Sequence, residues 1–162
     1  LPAIHERERV VQNGRILLKG AAHLHVPIVV TEQYPKGLGR TVAELAPFAG
    51  AGEVIEKTSF SCCGNEAFLD RLDELDRDQV VLCGVETHIC VLQTALDLIE
   101  QGAQVHIAAD ACGSRQPESH RIALERIRQA GGIVTTVESA LFELLGAAGS
   151  DEFKAISQLV RG

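Results

Sequence analysis

The sequence predicts an α/β domain: an open, mostly parallel sheet with helices on both faces, in a Rossmann-like three-layer α/β/α arrangement. Three observations carry that expectation. Short apolar runs such as Ile28-Val29-Val30 and Val80-Val81-Leu82-Cys83 read as buried strands. Amphipathic stretches of helical period lie between them from end to end. The chain has 162 residues and 17.4 kDa, enough for one well-buried core and too little for two, so residues 1–162 are expected to form a single domain.

The elements follow in order. Residues 7–24 carry an apolar stripe through Val10, Val11, Ile16, Leu17, Leu18 and Leu24, and Pro27 closes that helix. Residues 28–31 are a strand. Pro35, Gly37 and Gly39 make 32–40 a loop. A short helical piece at 42–45 and the glycines at 50–52 lead to a strand at 53–56. Phe68, Leu69, Leu72 and Leu75 mark a helix that Asn65 is placed to cap. Residues 79–83 are a continuous apolar strand closed by Gly84. Val91, Leu92, Ala95, Leu96 and Ile99 form the next helical face, stopped by Gly102. Strands at 105–109 and 133–137 flank a helix at 119–130, and short helices at 141–145 and 153–160 finish the chain. This order begins on a helix, and Leu1 opens a sequence without Met. A first strand ahead of residue 1 is therefore expected, because it would restore the alternation.

Composition narrows the function. Fifteen Lys and Arg against 22 Asp and Glu give a net charge of −7, with no basic cluster and no Trp, so a nucleic-acid partner is not expected. No apolar run is long enough for a membrane span. Five cysteines, an odd number in a chain that needs no staples, point to free thiols, a reducing compartment and a cytoplasmic location. No glycine-rich phosphate loop or dinucleotide fingerprint occurs, so no cofactor is expected.

Ligand crevices of open α/β sheets lie beyond the carboxyl ends of the strands. Three segments fall there: 31–34, 57–63 and 86–90. Cys90 sits near the start of the helix after strand 79–83, where unpaired N–H groups favour a thiolate and can hold an oxyanion. The same position suits a small buried apolar cysteine equally well. Lys57 follows a strand at the same rim; its pattern alone favours a solvated surface lysine over one that holds a thiolate. Cys62 and Cys63 with His88 and Cys90 have poor spacing for zinc, so no metal is expected. Cys83 and Cys112 read as packing or loop residues. His5, His23, His25, His106 and His120 have no neighbouring constellation and read as surface or helix-end residues, with a polar cluster as the alternative for His106, which lies within a strand.

Gly84-Val85-Glu86-Thr87-His88-Ile89-Cys90-Val91 resembles the cysteine motif of the isochorismatase-like, or cysteine hydrolase, superfamily. Thr31-Glu32-Gln33-Tyr34-Pro35-Lys36-Gly37-Leu38-Gly39 resembles its isochorismatase-domain-containing subgroup, and Glu56-Lys57-Thr58-Ser59-Phe60-Ser61-Cys62 fits as well. The match continues nearly to the C-terminus. The resemblance implies an Asp, Lys, Cys triad in which Cys90 is the nucleophile and Lys57 the lysine; the family's Asp has no counterpart in the 162 residues. It also implies a cis peptide at Val85–Glu86, with backbone N–H groups of Glu86 and Cys90 as the oxyanion hole. Gln33, Tyr34, Phe60 and His88 are expected as pocket walls. Nicotinamide-hydrolysing relatives carry Asp and His metal ligands where this chain has Glu32-Gln33-Tyr34, which argues against that activity.

The expectation is thus a hydrolase that attacks a small carbonyl compound with Cys90, with C–N cleavage through an acyl-enzyme, and that self-associates as family members commonly do. The alternative is a catalytically inactive binding or scaffold protein of the same fold. Thiol redox chemistry at Cys62-Cys63 is a third reading.

Overall fold

In the computed structural model, which describes residues 3–48 and 54–162, the elements are α1 (Arg7–His23), β1 (Thr31–Gln33), α2 (Pro35–Leu38), β2 (Ile55–Lys57), α3 (Glu66–Leu75), β3 (Gln79–Val85), α4 (Leu92–Glu100), β4 (Gln104–Gly113), α5 (Pro117–Gln129), β5 (Ile133–Thr135), α6 (Val137–Leu145) and α7 (Asp151–Arg161). All strand pairings are parallel. Among the described residues they form two sections, β1-β2 and β3-β4-β5, rather than one continuous sheet.

β4 organises the core: alternate residues face opposite layers, and the three residues that β4 gains against β3 between Ile107 and Cys112 reverse that parity. Val105, Ile107 and Cys112 pack with Phe68, Leu92, Leu98, Ala123 and Ile127 from α3, α4 and α5. Ala108 and Ala111 pack on the other side with Leu17, Leu141 and Ile156 from α1, α6 and α7. Each fully buried Leu or Ile contributes about 1.5–3 kcal/mol, so these two clusters hold helices on both faces. The small alanines let α1 lie close on β4. At Gly20 of α1 a side chain would overlap the Leu141 side chain of α6, which shows how closely these two helices pass.

Caps set several boundaries. Asn65 accepts from the Phe68 N–H at 3.1 Å, as its position in the sequence predicts. Thr136 and Ser150 cap α6 and α7 in the same way, so α6 starts at Val137 and α7 at Asp151, each earlier than apolar spacing alone suggests. Pro117 likewise starts α5 two residues early, since proline suits the first helical turn.

Four expectations need correction. The strand expected at 28–31 pairs instead over Thr31–Gln33, because its one neighbour, β2, begins at Ile55 and fixes the register Thr31↔Ile55 through Gln33↔Lys57. Glu32 and Gln33 are therefore strand residues, not loop. The strand expected at 53–56 is Ile55–Lys57, with 49–53, including the glycines at 50 and 52, outside the described residues. Gly84 does not close β3. It sits at φ 121° where pairing jumps from Leu82↔Ile107 to Gly84↔Cys112, so β4 bulges by three extra residues opposite it, and β3 and β4 both run on past that point. Cys83 is exposed rather than packed, as is Val81, because α1 lies over β4 more than over β3 and, among the described residues, β3 pairs along one edge only.

Candidate active site

β1 and β2 end side by side, and their register sets Gln33 against Lys57. Lys57 is only 5% exposed, which corrects the expectation of a solvated lysine. Its Nζ donates to Gln33 Oε1 at 2.6 Å, to the Ser59 carbonyl at 2.8 Å and to the Phe60 carbonyl at 2.7 Å. All three acceptors are neutral. Among the described residues no carboxylate lies within ion-pair distance of this nearly buried cation. A buried charge without a counter-ion is costly, so the surroundings favour an anion close by.

Gln33 cannot turn away, because its Nε2 donates to the Thr58 carbonyl at 2.7 Å. That fixes Oε1 toward Lys57, and the same Oε1 lies 3.9 Å from Cys90 Sγ. Cys90 reaches it from a π-helical turn, Thr87–Val91, in which the Val91 N–H bonds the Glu86 carbonyl five residues back. The Val85–Glu86 peptide bond is cis. Burial pushes the Cys90 thiol up; Lys57 and the Glu86 backbone N–H, which bonds the sulfur, pull it down, while Cys62 and the Glu86 carboxylate raise it. The net direction is upward. A favourable helix terminus does not by itself make this cysteine a resting thiolate, because half-burial outweighs it.

The turn that carries Cys90 is tied down by three consecutive side chains. Glu86 pairs with Arg115 at 3.0 Å and accepts the Arg115 N–H at 2.9 Å. Thr87, fully buried, shares a 2.8 Å hydrogen bond with His120 Nδ1. His88 Nδ1 lies 2.9 Å from Ser114 Oγ. His88 is thus engaged with the β4–α5 connection and with Glu86, 3.9 Å away, rather than standing free beside Cys90. His120 is half-buried in a polar pair and not the surface residue that its isolation in sequence suggests. Sequence reasoning missed the roles of Ser114, Arg115 and His120, since no local pattern links them to residues 86–88.

Tyr34 and Phe60 stand at the rim, 54% and 55% exposed. The Tyr34 N–H donates to the Lys57 carbonyl at 2.8 Å, and its ring rests over Gly37, where a Cβ would clash with it. Glu32 points away from Lys57 and anchors the following loop, accepting the Thr41 N–H at 2.7 Å. Ser61 donates to Asp97 at 2.5 Å and caps the turn that carries Cys62 and Cys63, so these two cysteines are held by α4. All five thiols are free. Among the described residues no group of three or more His, Cys, Asp and Glu side chains is placed to hold a metal ion.

The geometry brings together Gln33, Lys57, Cys90 and the Phe60 backbone. A family model for the Isochorismatase domain matches residues 1–139. The chain is 45% identical over 154 residues to isochorismatase domain-containing protein 2 of Bos taurus, covering 94% of this chain and 74% of that protein. The MAR1 ribonuclease structure from Caenorhabditis elegans superposes with a TM-score of 0.93 at 37% identity, covering 99% of this chain and 83% of that one. The Escherichia coli YcaC gene product, described as an octameric hydrolase of unknown specificity, gives a TM-score of 0.86 at 25% identity over 90% of this chain and 74% of its own. The chain spans from 56% to 76% of the length of the curated relatives it matches. With its mixed α/β fold, parallel strands and motif order, the chain belongs to the isochorismatase family of the cysteine-hydrolase superfamily.

Proposed function

We propose that this chain is the body of a cysteine hydrolase that cleaves a small carbonyl compound, with C–N bonds preferred. The observation that carries the reading is the meeting of Lys57 and Cys90 on one acceptor, Gln33 Oε1. Lys57 lowers the cost of negative charge on the sulfur, and its lack of a carboxylate partner among the described residues leaves room for the family's Asp. That Asp is taken to come from a strand ahead of residue 1, pairing with the open edge of β3. A single hydrolase domain then includes residues 1–162 and that strand.

In the proposed reaction the Asp carboxylate takes the Cys90 thiol proton, and the sulfur forms a bond to the carbonyl carbon. The carbonyl oxygen becomes an oxyanion held by the backbone N–H groups of Glu86 and Cys90. Collapse breaks the C–N bond, and the protonated Asp returns its proton to the departing nitrogen. Water then attacks the thioester and releases the acid and the free thiol. No cofactor takes part. Gln33 positions Lys57 against Cys90, and the Tyr34 and Phe60 rings form apolar walls for the substrate.

Exposed apolar side chains, Leu38, Ile122 and Leu144 among them, together with the octameric relative, support a homo-oligomer. Five free thiols support a reducing, cytoplasmic setting. Among the described residues no helix is long and apolar enough to cross a membrane. The relative named a ribonuclease does not extend that activity here: the net charge of −7 works against binding a polyanion.

Turnover of a panel of small amides by the whole protein, compared with its Cys90→Ala variant, tests the reading. Hydrolysis that disappears with Cys90 supports it, and hydrolysis retained by the variant overturns it. Tight substrate binding without turnover would favour the inactive binding protein of the same fold.

A further inference from the structure

A cavity of about 110 Å³ lies where three elements converge: His5, Glu6 and Arg9 at the start of α1, Gly113 and Ser114 at the end of β4, and Pro117 and His120 at the start of α5. The approach is close because Gly113 has no side chain; a Cβ there would meet Ile4 and Val10. Neither the catalytic reading nor any relative's name accounts for this space.

Its basic groups outnumber its acids. Arg9 donates from Nε to Glu6 at 2.9 Å and from Nη1 to the Asp110 carbonyl at 3.2 Å, which leaves Nη2 without a bonded partner among the described residues. His120 uses Nδ1 on Thr87, so Nε2 is its remaining polar atom. Glu6 is the one carboxylate in the lining; besides Arg9 it has His5 at 3.9 Å. Burial, and then the Arg9 charge, hold His120 below the ordinary histidine range; His5 acts in the same direction and Glu6 against it. With His120 held toward its neutral form, Arg9 and Glu6 balance in formal charge, so the pocket lacks the negative excess that the chain as a whole carries at −7.

We infer that this pocket is a binding site for a small oxyanion of sulfate or phosphate size, held by Arg9 and His120 with His5 at its edge. The volume suits that class: at about 30 Å³ per water it holds only a few waters, so a tetrahedral oxyanion fits and a larger molecule enters by its anionic group alone. Charged donors to an anionic oxygen make the stronger hydrogen bonds; Arg9 provides one, and a bound anion favours the protonated His120 ring, which then provides a second. An anion also offsets the positive surroundings of His120. The inference stands apart from the hydrolase reading, because occupancy is read at His120 and needs no turnover.

The test is the NMR titration of the His120 ring with pH, in sodium sulfate and in sodium chloride of equal ionic strength. Sulfate is the probe because it does not titrate in the range used; a phosphate arm follows at fixed pH. The expected result is a saturable rise of the His120 pKa in sulfate alone. Arg9→Gln should weaken sulfate binding about tenfold, and Glu6→Gln, at an exposed position, should tighten it. Identical titrations in the two salts overturn the inference. So does unchanged affinity in Arg9→Gln with the fold retained, or a Glu6→Gln variant that binds no tighter.

Discussion

Lys57 and Cys90 share one oxygen: Gln33 Oε1 lies 2.6 Å from Nζ and 3.9 Å from Sγ. The arrangement follows from two pieces of backbone. Parallel pairing of β1 with β2 places Gln33 beside Lys57, and the π-helical turn after β3 brings Cys90 to the same point. Gln33 is thereby the bridge through which a buried cation and a half-buried thiol are kept at a fixed separation.

Lys57→Met should raise the pKa of Cys90, because it removes the positive charge that opposes burial. Alkylation of Cys90 by iodoacetamide, followed peptide by peptide against pH, should then need a higher pH, by roughly one unit. The variant should also lose about 1–3 kcal/mol of stability, since three acceptors lose their donor. An unmoved pH profile would show that Lys57 does not act on the sulfur.

Gly84→Ala should destabilise the fold by about 1–3 kcal/mol, because this residue sits at φ 121° opposite the β4 bulge, where an alanine is strained. Nothing lies within 4 Å of the position a Cβ would take, so the cost is conformational rather than a clash. Urea unfolding followed by circular dichroism measures it. An unchanged midpoint would mean that the bulge relaxes.

Thr87→Val keeps the shape of a fully buried side chain and removes its bond to His120. The expected cost is about 1 kcal/mol, the usual net value of such a bond, rising toward 3 kcal/mol with His120 Nδ1 left unpaired. A urea midpoint equal to that of the parent would contradict the pairing.

His120 gives the fold a pH dependence whose sign can be stated. Its folded pKa lies below its ordinary 6.5, so below about that pH the unfolded chain binds more protons than the folded one. Stability should therefore fall as pH drops from 6.5 toward the folded pKa, and level off below it. In His120→Asn this part of the slope should be missing. Melting temperatures of both proteins at pH 7.5 and 5.5 would show it; parallel losses in the two would refute it.

Much of the fold was legible because it rests on local patterns. The apolar run at Val80–Leu82, the stripe through Leu92, Ala95 and Ile99 and the Asn65 cap each occur where the sequence places them. The division of the sheet and the pairing of Glu32 and Gln33 were not legible, since register depends on which strand lies alongside. At the site, motif spacing picked out Lys57 and Cys90, while pattern alone made Lys57 a surface residue. Its burial comes from carbonyls at Ser59 and Phe60, which any residue types can supply. The tethers from Glu86, Thr87 and His88 to Arg115, His120 and Ser114 span 26 to 33 residues, and no local signal encodes them.

The most direct test of the central claim is intact and peptide mass spectrometry of the whole protein after brief exposure to p-nitrophenyl acetate, a small activated carbonyl compound. The account predicts an acetyl group on Cys90 that forms and then clears as the thioester hydrolyses, and that is lost in Cys90→Ala. Acetylation confined to other residues, or equal release of p-nitrophenol by the parent and the Cys90→Ala variant, would contradict it.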